Sequence, residues 1–296
     1  MFKNYLKLAV RNIKNQKVYS FINIGGLAIG LMCCILIFLY VDYELNYDRY
    51  HENAEEIYRV VMKQPGNVFQ GSDMFNATTG LLAPTLETEY PEVVRATRIG
   101  KLGGFFSNKE ILINYKENSY LENKFFLVDP EFLMIFTFPL IAGDPETALN
   151  EPFTILLTQS MAKKYFGNEN PVGKTLHIDK KHDYQVTGIL KDIPEDSHFK
   201  FDFLTSLATG YSLWGRENID RWIGNNWFKT YVQLQTKTNP RELESKLPAF
   251  VQKYIGTDTN THFYLQPLTA IHLHGNINFD FEPNGDIRLV YFFSAI

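Results

Sequence analysis

Two hydrophobic patterns of different kinds open the chain. In residues 2–14, apolar positions recur at helical spacing and basic residues fill the opposite face, which predicts an amphipathic helix on a membrane surface. Residues 18–41 then contain no charged side chain, and about 20 apolar residues are enough to span a bilayer. This run is too long for the apolar core of a signal peptide, and it ends without small residues for cleavage. We therefore expect an amphipathic helix within residues 1–17, with a plain basic flank as the alternative, and an uncleaved transmembrane helix over residues 18–41.

Beyond residue 46, the hydrophobic period switches repeatedly between that of strands and that of helices. One β-α-β unit is predicted, with strands at residues 57–63 and 93–99 around a helix at residues 78–90. A strand-rich stretch follows, with strands predicted at residues 110–115, 120–127, 155–157, 175–178 and 184–190 and helices at residues 130–136 and 159–166. A second α/β portion has predicted strands at residues 199–204, 231–236 and 263–267 and a helix that starts at Pro240. The expected fold class is α+β: an N-terminal transmembrane helix, then a domain in which α/β portions flank a β-rich insertion.

The last eight residues, 289–296, are almost entirely apolar. Eight residues cannot span a bilayer, because a membrane helix needs about 20. We expect them to be the start of a second transmembrane helix that is cut short, with a terminal strand as the alternative.

The distribution of charge predicts an orientation. Residues 1–41 hold five of the 29 basic residues and none of the 33 acidic ones, so the rest of the chain has 24 basic and 33 acidic residues, a net charge of −9. Because basic flanks stay in the cytoplasm, we expect a cytoplasmic N-terminus and an extracytoplasmic domain from Asp42 onward. The acidic domain argues against nucleic-acid binding. The two cysteines, Cys33 and Cys34, lie inside the apolar run, so the domain has neither a disulfide framework nor a thiolate nucleophile.

Three groups of residues are candidates for contacts rather than for catalysis. Gly26, Gly30 and Cys33 form a stripe of small residues on the membrane helix, along which another helix could pack. Basic residues of the N-terminal helix are candidates for coupling to a cytoplasmic partner: Lys7, Arg11 and Lys14. Three indoles lie close together in the sequence, which favours local core packing, with contact to a partner as the alternative: Trp214, Trp222 and Trp227.

Motifs for catalysis or cofactor binding are weak in this sequence. Residues 167–175 (GNENPVGKT) resemble a phosphate-binding loop, but five residues separate the glycines instead of four, and the loop precedes a strand. His272 and His274 are too few ligands for zinc. The sequence contains neither a G-x-S-x-G elbow nor an H-E-x-x-H pair. We expect a protein that is not an enzyme and that has no catalytic, cofactor or metal site in this chain.

Five segments resemble the permease subunits of MacB/FtsX-type ABC transporters. They are residues 6–31 (LKLAVRNIKNQKVYSFINIGGLAIGL), 48–61 (DRYHENAEEIYRVV), 160–174 (SMAKKYFGNENPVGK), 185–203 (QVTGILKDIPEDSHFKFDF) and 265–294 (LQPLTAIHLHGNINFDFEPNGDIRLVYFFS). The resemblance extends over essentially the whole chain. It implies a MacB-like periplasmic core domain at residues 46–283, with a porter-like α/β part at about residues 46–100 and 196–283 and a β-rich lobe at about residues 101–195.

The resemblance also implies a function and partners. The chain would lie in the bacterial inner membrane as a permease subunit that couples ATP hydrolysis to a conformational change in the periplasm. ATP would bind to a separate cytoplasmic ATPase subunit. Other implied partners are a second permease copy or homologue and a periplasmic adaptor or outer-membrane component. A single-pass receptor with an external sensing domain is the alternative, and it would need a cytoplasmic signalling domain.

Overall fold

The computed structural model describes residues 2–102, 110–224, 226–257 and 259–295. The chain divides into two compact units. We call Met1–Leu45 together with Asp286–Ile296 the helical unit, and Asn46–Gly285 the sheet unit.

The elements follow one another in a mixed order. The described helices are α1 (Phe2–Asn15), α2 (Lys17–Leu45), α3 (Leu82–Glu89), α4 (Phe132–Ile135), α5 (Gln159–Phe166), α6 (Leu207–Trp214), α7 (Arg216–Ile219), α8 (Pro240–Tyr254) and α9 (Ile287–Ser294). The described strands are β1 (Ile57–Lys63), β2 (Met74–Phe75), β3 (Val93–Lys101), β4 (Ile111–Tyr115), β5 (Asn118–Glu122), β6 (Phe125–Val128), β7 (Leu140–Ala142), β8 (Thr154–Thr158), β9 (Thr175–Ile178), β10 (His182–Leu190), β11 (Phe203–Ser206), β12 (Lys229–Leu234) and β13 (His262–Pro267). Short 3₁₀ turns lie at Ala54–Glu56 and Leu268–Ala270.

Helix α2 dominates the helical unit. It has 29 residues, and within the described part of the chain it is the one helix long and apolar enough to cross a membrane. The C-terminal segment is also helical, as α9, and not a strand. Asp286 caps α9 by accepting a hydrogen bond from the backbone N–H of Arg288, and the rings of Tyr40 and Phe293 meet edge to face at 5.5 Å.

One mixed sheet runs through the sheet unit. Its strand order is β13-β1-β12-β3-β6-β11-β8-β10-β9-β4-β5, with β2 beside β1 and β7 beside β10. Strand β12 lies between β1 and β3 and is antiparallel to both, so β1 and β3 are parallel in space. Strands β6 and β11 are parallel, as are β8 and β10. The fold is therefore α+β, as predicted.

Helices cover different parts of the sheet. Leu82 and Leu86 of α3 pack with Leu243 and Leu247 of α8 over the β1–β12–β3 part. Around β8, β9 and β10 a separate core includes Tyr165 of α5. Between them lies a core rich in phenylalanine, which includes Phe132, Phe136, Phe138, Phe199 and Phe201. This core packs the middle strands of the sheet against residues near the start and the end of the sheet unit, such as Ala54 and Ile271.

Local signals predicted several elements correctly. Strand β1 spans the residues expected of it. Thr158 caps α5, since its hydroxyl accepts a hydrogen bond from the N–H of Met161 at 3.4 Å, and α5 ends before Gly167 at φ +62°. The carboxamide oxygen of Asn239 caps α8 in the same way. The sequence loop at residues 167–175 joins α5 to β9, which is the helix-to-hairpin turn that its spacing indicated.

Other predictions were wrong in detail. The strand expected at residues 120–127 is two strands, β5 at the end of the sheet and β6 near its middle. The carboxylate of Glu122, the last residue of β5, accepts hydrogen bonds from Lys164 and Tyr165 of α5. The helix expected at residues 78–90 begins only at Leu82, because Thr78 bonds through its backbone and side chain to the β12 region.

Further differences lie around β11. Its prediction began at residue 199, whereas the strand begins at Phe203. Helices α6 and α7 follow it and were not predicted.

Candidate functional site

Two of the first residues of the sheet unit, Asp48 and His51, are polar but buried. We call residues 46–51 the leading segment, since they follow α2 directly. Asp48 is fully buried and has a left-handed backbone, with φ +61°. Its N–H donates to the carbonyl of Asp196 at 2.8 Å, and its Oδ1 accepts from the N–H of His198 at 2.9 Å. The leading segment is thus fixed to the loop that precedes β11.

His198 extends this connection to the sheet. Its Nδ1 lies 2.8 Å from Oδ1 of Asp48, and its Nε2 lies 2.9 Å from the hydroxyl of Tyr231. Tyr231 is on β12 and is fully buried. A chain of three buried polar side chains therefore joins the leading segment to the central strands.

His51, the last residue of the leading segment, is a neutral core histidine. Its Nδ1 accepts a hydrogen bond from the N–H of Thr137 at 3.0 Å. The rings of Phe136, Phe138 and Phe199 surround it at 5.2–6.5 Å. Burial lowers the pKa of His51 to about 3, so the imidazole carries no charge at neutral pH.

The last residues of the sheet unit converge on a buried carboxylate. We call residues 268–285 the closing segment, since α9 follows it. Asp280 pairs with the guanidinium of Arg59 on β1, and it accepts from Asn76 at 2.5 Å and from Asn284 at 2.7 Å. Arg59 also donates to Oε1 of Gln266 on β13, at 2.7 and 3.2 Å. The arginine side chain is 1% exposed and the carboxylate 10%, so water hardly screens this pair.

A buried amine contacts the same segment. The Nζ of Lys229 on β12 donates to the carbonyl of Phe279 at 2.7 Å and lies 4.0 Å from the ring centroid of Phe281. Burial lowers the pKa of this amine well below its usual value. Strands β1, β12 and β13 all contribute side chains that hold the closing segment.

The two segments also meet each other. The ring of Tyr47 stacks on that of His272, with centroids 3.6 Å apart and planes at 7°. Beside them is a cavity of about 10 Å³, the room of one water molecule, lined by Arg59, His198 and Asp280 among others. We call this whole cluster of buried polar contacts the clasp. It joins the start of the sheet unit to β12 and the end of the unit to β1, β12 and β13, so neither end can move without exposing or unpairing buried polar groups.

The clasp was not predicted from the sequence. The missed signal is Arg59, a charged residue within a strand whose other residues are almost all apolar. A strand buried on both faces cannot place an arginine in water, so such a residue needs a buried partner. That partner, Asp280, lies 221 residues further along the chain.

The predicted membrane-side residues lie on exposed helix surfaces. The side chains of Lys7, Arg11 and Lys14 are exposed along α1. Phe2, Lys3, Leu6 and Ala9, which complete the amphipathic pattern, have side chains outside the described set. On α2, a Cβ added to Gly26 or Gly30 would meet no atom within 4 Å, and Cys33 is exposed. The stripe of small residues is therefore open to another helix.

The three predicted indoles do not form one cluster. Trp214 and Trp227 meet edge to face at 5.9 Å. Trp222 instead stacks on Tyr254 at 4.6 Å and packs against Phe250, both on α8. Core packing explains Trp222, whereas Trp227 is 39% exposed.

Comparison with known proteins gives one family. A model of the MacB-like periplasmic core domain matches residues 20–250. Among curated proteins, no sequence matches.

Three solved structures share the fold. A domain of a proposed permease protein from Porphyromonas gingivalis has a TM-score of 0.61 and 24% identity, covering 73% of this chain and 92% of that one. The periplasmic region of MacB from Actinobacillus actinomycetemcomitans has a TM-score of 0.51 and 16% identity, with the same coverage. The extracellular domain of YknZ, a noncanonic ABC-type transporter from Gram-positive bacteria, has a TM-score of 0.51 and 12% identity, covering 70% of this chain and 99% of that one.

Proposed function

Because the chain belongs to the family of MacB-like periplasmic core domains, we propose that it is a permease subunit of a MacB/FtsX-type ABC transporter. The observation that carries this proposal is the family match, which begins within α2 and extends over most of the sheet unit. In the proposed arrangement, α2 anchors the chain in the bacterial inner membrane with its N-terminus in the cytoplasm. The sheet unit then lies in the periplasm.

The chain would convert the work of a separate ATPase into movement outside the membrane. A cytoplasmic ATPase subunit binds and hydrolyses ATP, the membrane helices shift, and the sheet unit changes conformation. The clasp supports this role, since it joins the start of the sheet unit to β12 and its end to β1, β12 and β13. A displacement of either end would reach these strands through stiff, buried contacts and would favour two discrete arrangements.

Two sets of residues would serve the assembly. The ATPase subunit would contact the exposed basic residues of α1: Lys7, Arg11 and Lys14. The open stripe of Gly26, Gly30 and Cys33 would let a helix of a second permease copy or homologue approach α2 closely. A periplasmic adaptor or outer-membrane component would complete an export pathway.

Orientation is tested by labelling cysteines in intact cells. Cys33 and Cys34 are first replaced by alanine, and then either Lys180→Cys, on the β9–β10 turn, or Lys14→Cys, on α1, is introduced. A maleimide that cannot cross membranes should label position 180 in spheroplasts and position 14 only after lysis. Labelling of position 14 in intact spheroplasts would contradict the proposed orientation.

Coupling is tested with the permease and its ATPase reconstituted together in liposomes. The double reversal Arg11→Glu/Lys14→Glu should abolish the ATP-driven conformational change of the sheet unit, because it reverses the charge that α1 presents at the proposed contact. A matched reversal on the sheet unit, Lys163→Glu/Lys180→Glu at two exposed lysines, should leave it unchanged. Full activity of the α1 variant would remove α1 from the coupling mechanism.

A further inference from the structure

Two neighbouring clefts of the sheet unit share one side chain, Trp227. The larger, which we call the indole cleft, has a volume of about 500 Å³. The smaller, which we call the amine cleft, has a volume of about 240 Å³. Residues that line the indole cleft include Leu102, Tyr184, Leu213, Trp214 and Trp227, and the amine cleft is lined by Ile99, Lys101, Trp227, Lys229, Asp280 and the aromatic Phe279 and Phe281.

The walls of the clefts suit a flat, apolar body. Sites for small molecules typically have volumes of about 300–1,000 Å³, with mostly apolar walls and a few polar groups. The rings of Trp214 and Trp227, which both line the indole cleft, stand at 90° to each other with centroids 5.9 Å apart. Aromatic ligands bind well in such a corner, because both offset stacking and edge-to-face contacts are available.

The charges around the clefts suit an anion. Lys101 is half-buried in the amine cleft, and its Nζ lies 5.8 Å from the ring centroid of Phe126. The two carboxylates that border the clefts are already engaged: Asp280 pairs with Arg59, and Asp179 accepts from the N–H of Leu112 at 3.1 Å. The charge of Asp280 is therefore offset by a guanidinium, while Asp179 is held by a backbone hydrogen bond.

Further donors line both clefts. Lys229 lies in the amine cleft, while Lys181 and His182 lie at the rim of the indole cleft. This concentration of donors stands out in a chain that is acidic beyond residue 41. Lys101 and Lys181 provide positive charge to complement an acid group, while Lys229, whose pKa is lowered by burial, serves as a hydrogen-bond donor.

We propose that the two clefts form one binding site for an organic anion that carries a flat aromatic body. The acid group binds in the amine cleft at Lys101, and the aromatic body packs against Trp227 and Trp214 in the indole cleft. The site stands on the described side chains alone, so it does not depend on whether the chain couples to an ATPase.

The probe is 2-naphthoate, which combines one carboxylate with two fused rings. Isothermal titration calorimetry is performed on the full chain in lipid nanodiscs, with empty nanodiscs as the blank. We expect saturable binding of one 2-naphthoate per chain. The matched cation 2-naphthylmethylamine and the neutral 2-naphthalenemethanol should bind at least about 10-fold more weakly, because a charge-assisted hydrogen bond contributes about 1.5 kcal/mol or more.

Variants locate the site. Lys101→Gln should weaken 2-naphthoate binding about 10-fold, and Lys101→Arg should keep the affinity within about 3-fold, because the charge remains. Trp227→Leu should weaken binding about 5-fold through lost aromatic contact. The control is Lys163→Gln, at an exposed lysine of α5, which removes the same charge and should bind as the unaltered chain does.

Several results would overturn the proposal. Equal affinity for the three naphthalene compounds would show partition into apolar surface rather than recognition of an anion. Affinity unaffected by both Lys101→Gln and Trp227→Leu would place any binding elsewhere. Absence of saturable binding to the unaltered chain would refute the site directly. Lys101→Arg tests whether misfolding explains the weaker binding of Lys101→Gln. Native affinity in Lys101→Arg would show that position 101 tolerates substitution.

Discussion

The clasp makes its sharpest prediction at Asp280, through the variant Asp280→Ala. The substitution removes the carboxylate that Arg59, Asn76 and Asn284 share. Arg59 retains its hydrogen bonds to Gln266 but loses its counter-charge while it stays buried. An uncompensated buried cation costs far more than a lost surface pair, because water cannot reach it to replace the missing carboxylate.

The expected cost follows from this burial. Removing one partner of a buried ion pair lowers the free energy of unfolding by about 3–5 kcal/mol. The side chain of Asp280 is 10% exposed, so some relaxation toward water is available, and we expect the lower half of this range. The double variant Arg59→Met/Asp280→Ala removes both charges, and its cost should fall at least about 2 kcal/mol short of the sum of the single variants.

Urea unfolding of the full chain in detergent gives these energies. The three tryptophans all lie between residues 214 and 227, so their fluorescence reports on the sheet unit alone. With a urea dependence of about 2–3 kcal/mol/M, Asp280→Ala should lower the midpoint by about 1 M or more.

The control is Glu169→Ala, which breaks the exposed ion pairs of Glu169 with Lys116 and Lys174. It should cost far less than Asp280→Ala, because water screens both pairs. If Asp280→Ala costs no more than Glu169→Ala, or if the double variant shows no coupling, then the Arg59–Asp280 contact does not stabilise the fold as argued.

Three further predictions concern stability. Histidine in the unfolded chain binds a proton below its usual pKa of about 6.5, whereas folded His51 stays neutral down to about pH 3, so acid favours unfolding. His51 should therefore lower the free energy of unfolding by about 2 kcal/mol between pH 7.5 and pH 5. His51→Gln should remove this contribution when urea unfolding is measured at each pH. Gly80→Ala should cost about 2 kcal/mol in urea unfolding, because its Cβ would lie 2.0 Å from the carbonyl oxygen of Ile219; a cost near zero would show that the backbone there shifts freely. Thr158→Ala should cost about 1 kcal/mol through the lost cap on Met161, and Thr158→Ser should not; equal costs would contradict the capping contact.

Local features of the fold could be predicted from the sequence, because their causes are local. Strand β1 follows from its apolar run, and α5 and α8 follow from the capping side chains of Thr158 and Asn239. The division between β5 and β6 is not local. Strand β6 pairs with β11, almost 80 residues later, and its apolar residues alone do not show where β5 ends.

The candidate sites were harder to predict for the same reason. The clasp depends on the pairing of residues from opposite ends of the sheet unit, such as Arg59 and Asp280. Trp222 shares its stretch of sequence with Trp214 and Trp227, but an aromatic partner on α8 draws it away from them. Proximity in sequence therefore placed Trp214 and Trp227 together correctly, whereas long-range packing determined the position of Trp222.

The direction of the strands gives the clasp a mechanical consequence. Strands β1 and β13 are antiparallel, with Tyr58 opposite Pro267, so β1 begins at the end of the sheet where β13 finishes. A tension that pulled those two chain ends apart would open the ladder in unzipping mode, one hydrogen-bonded pair at a time, and not in shear across all pairs at once. Unzipping needs little force, because each hydrogen-bonded pair bears the load alone. The Tyr47–His272 stack joins the chain before β1 to the chain after β13, and Arg59, at the second pair of the ladder, binds Asp280 beyond β13. Both contacts would have to rupture before the ladder could open fully, so a few side chains, together with the ladder hydrogen bonds, set the force at which the β1–β13 edge of the sheet opens.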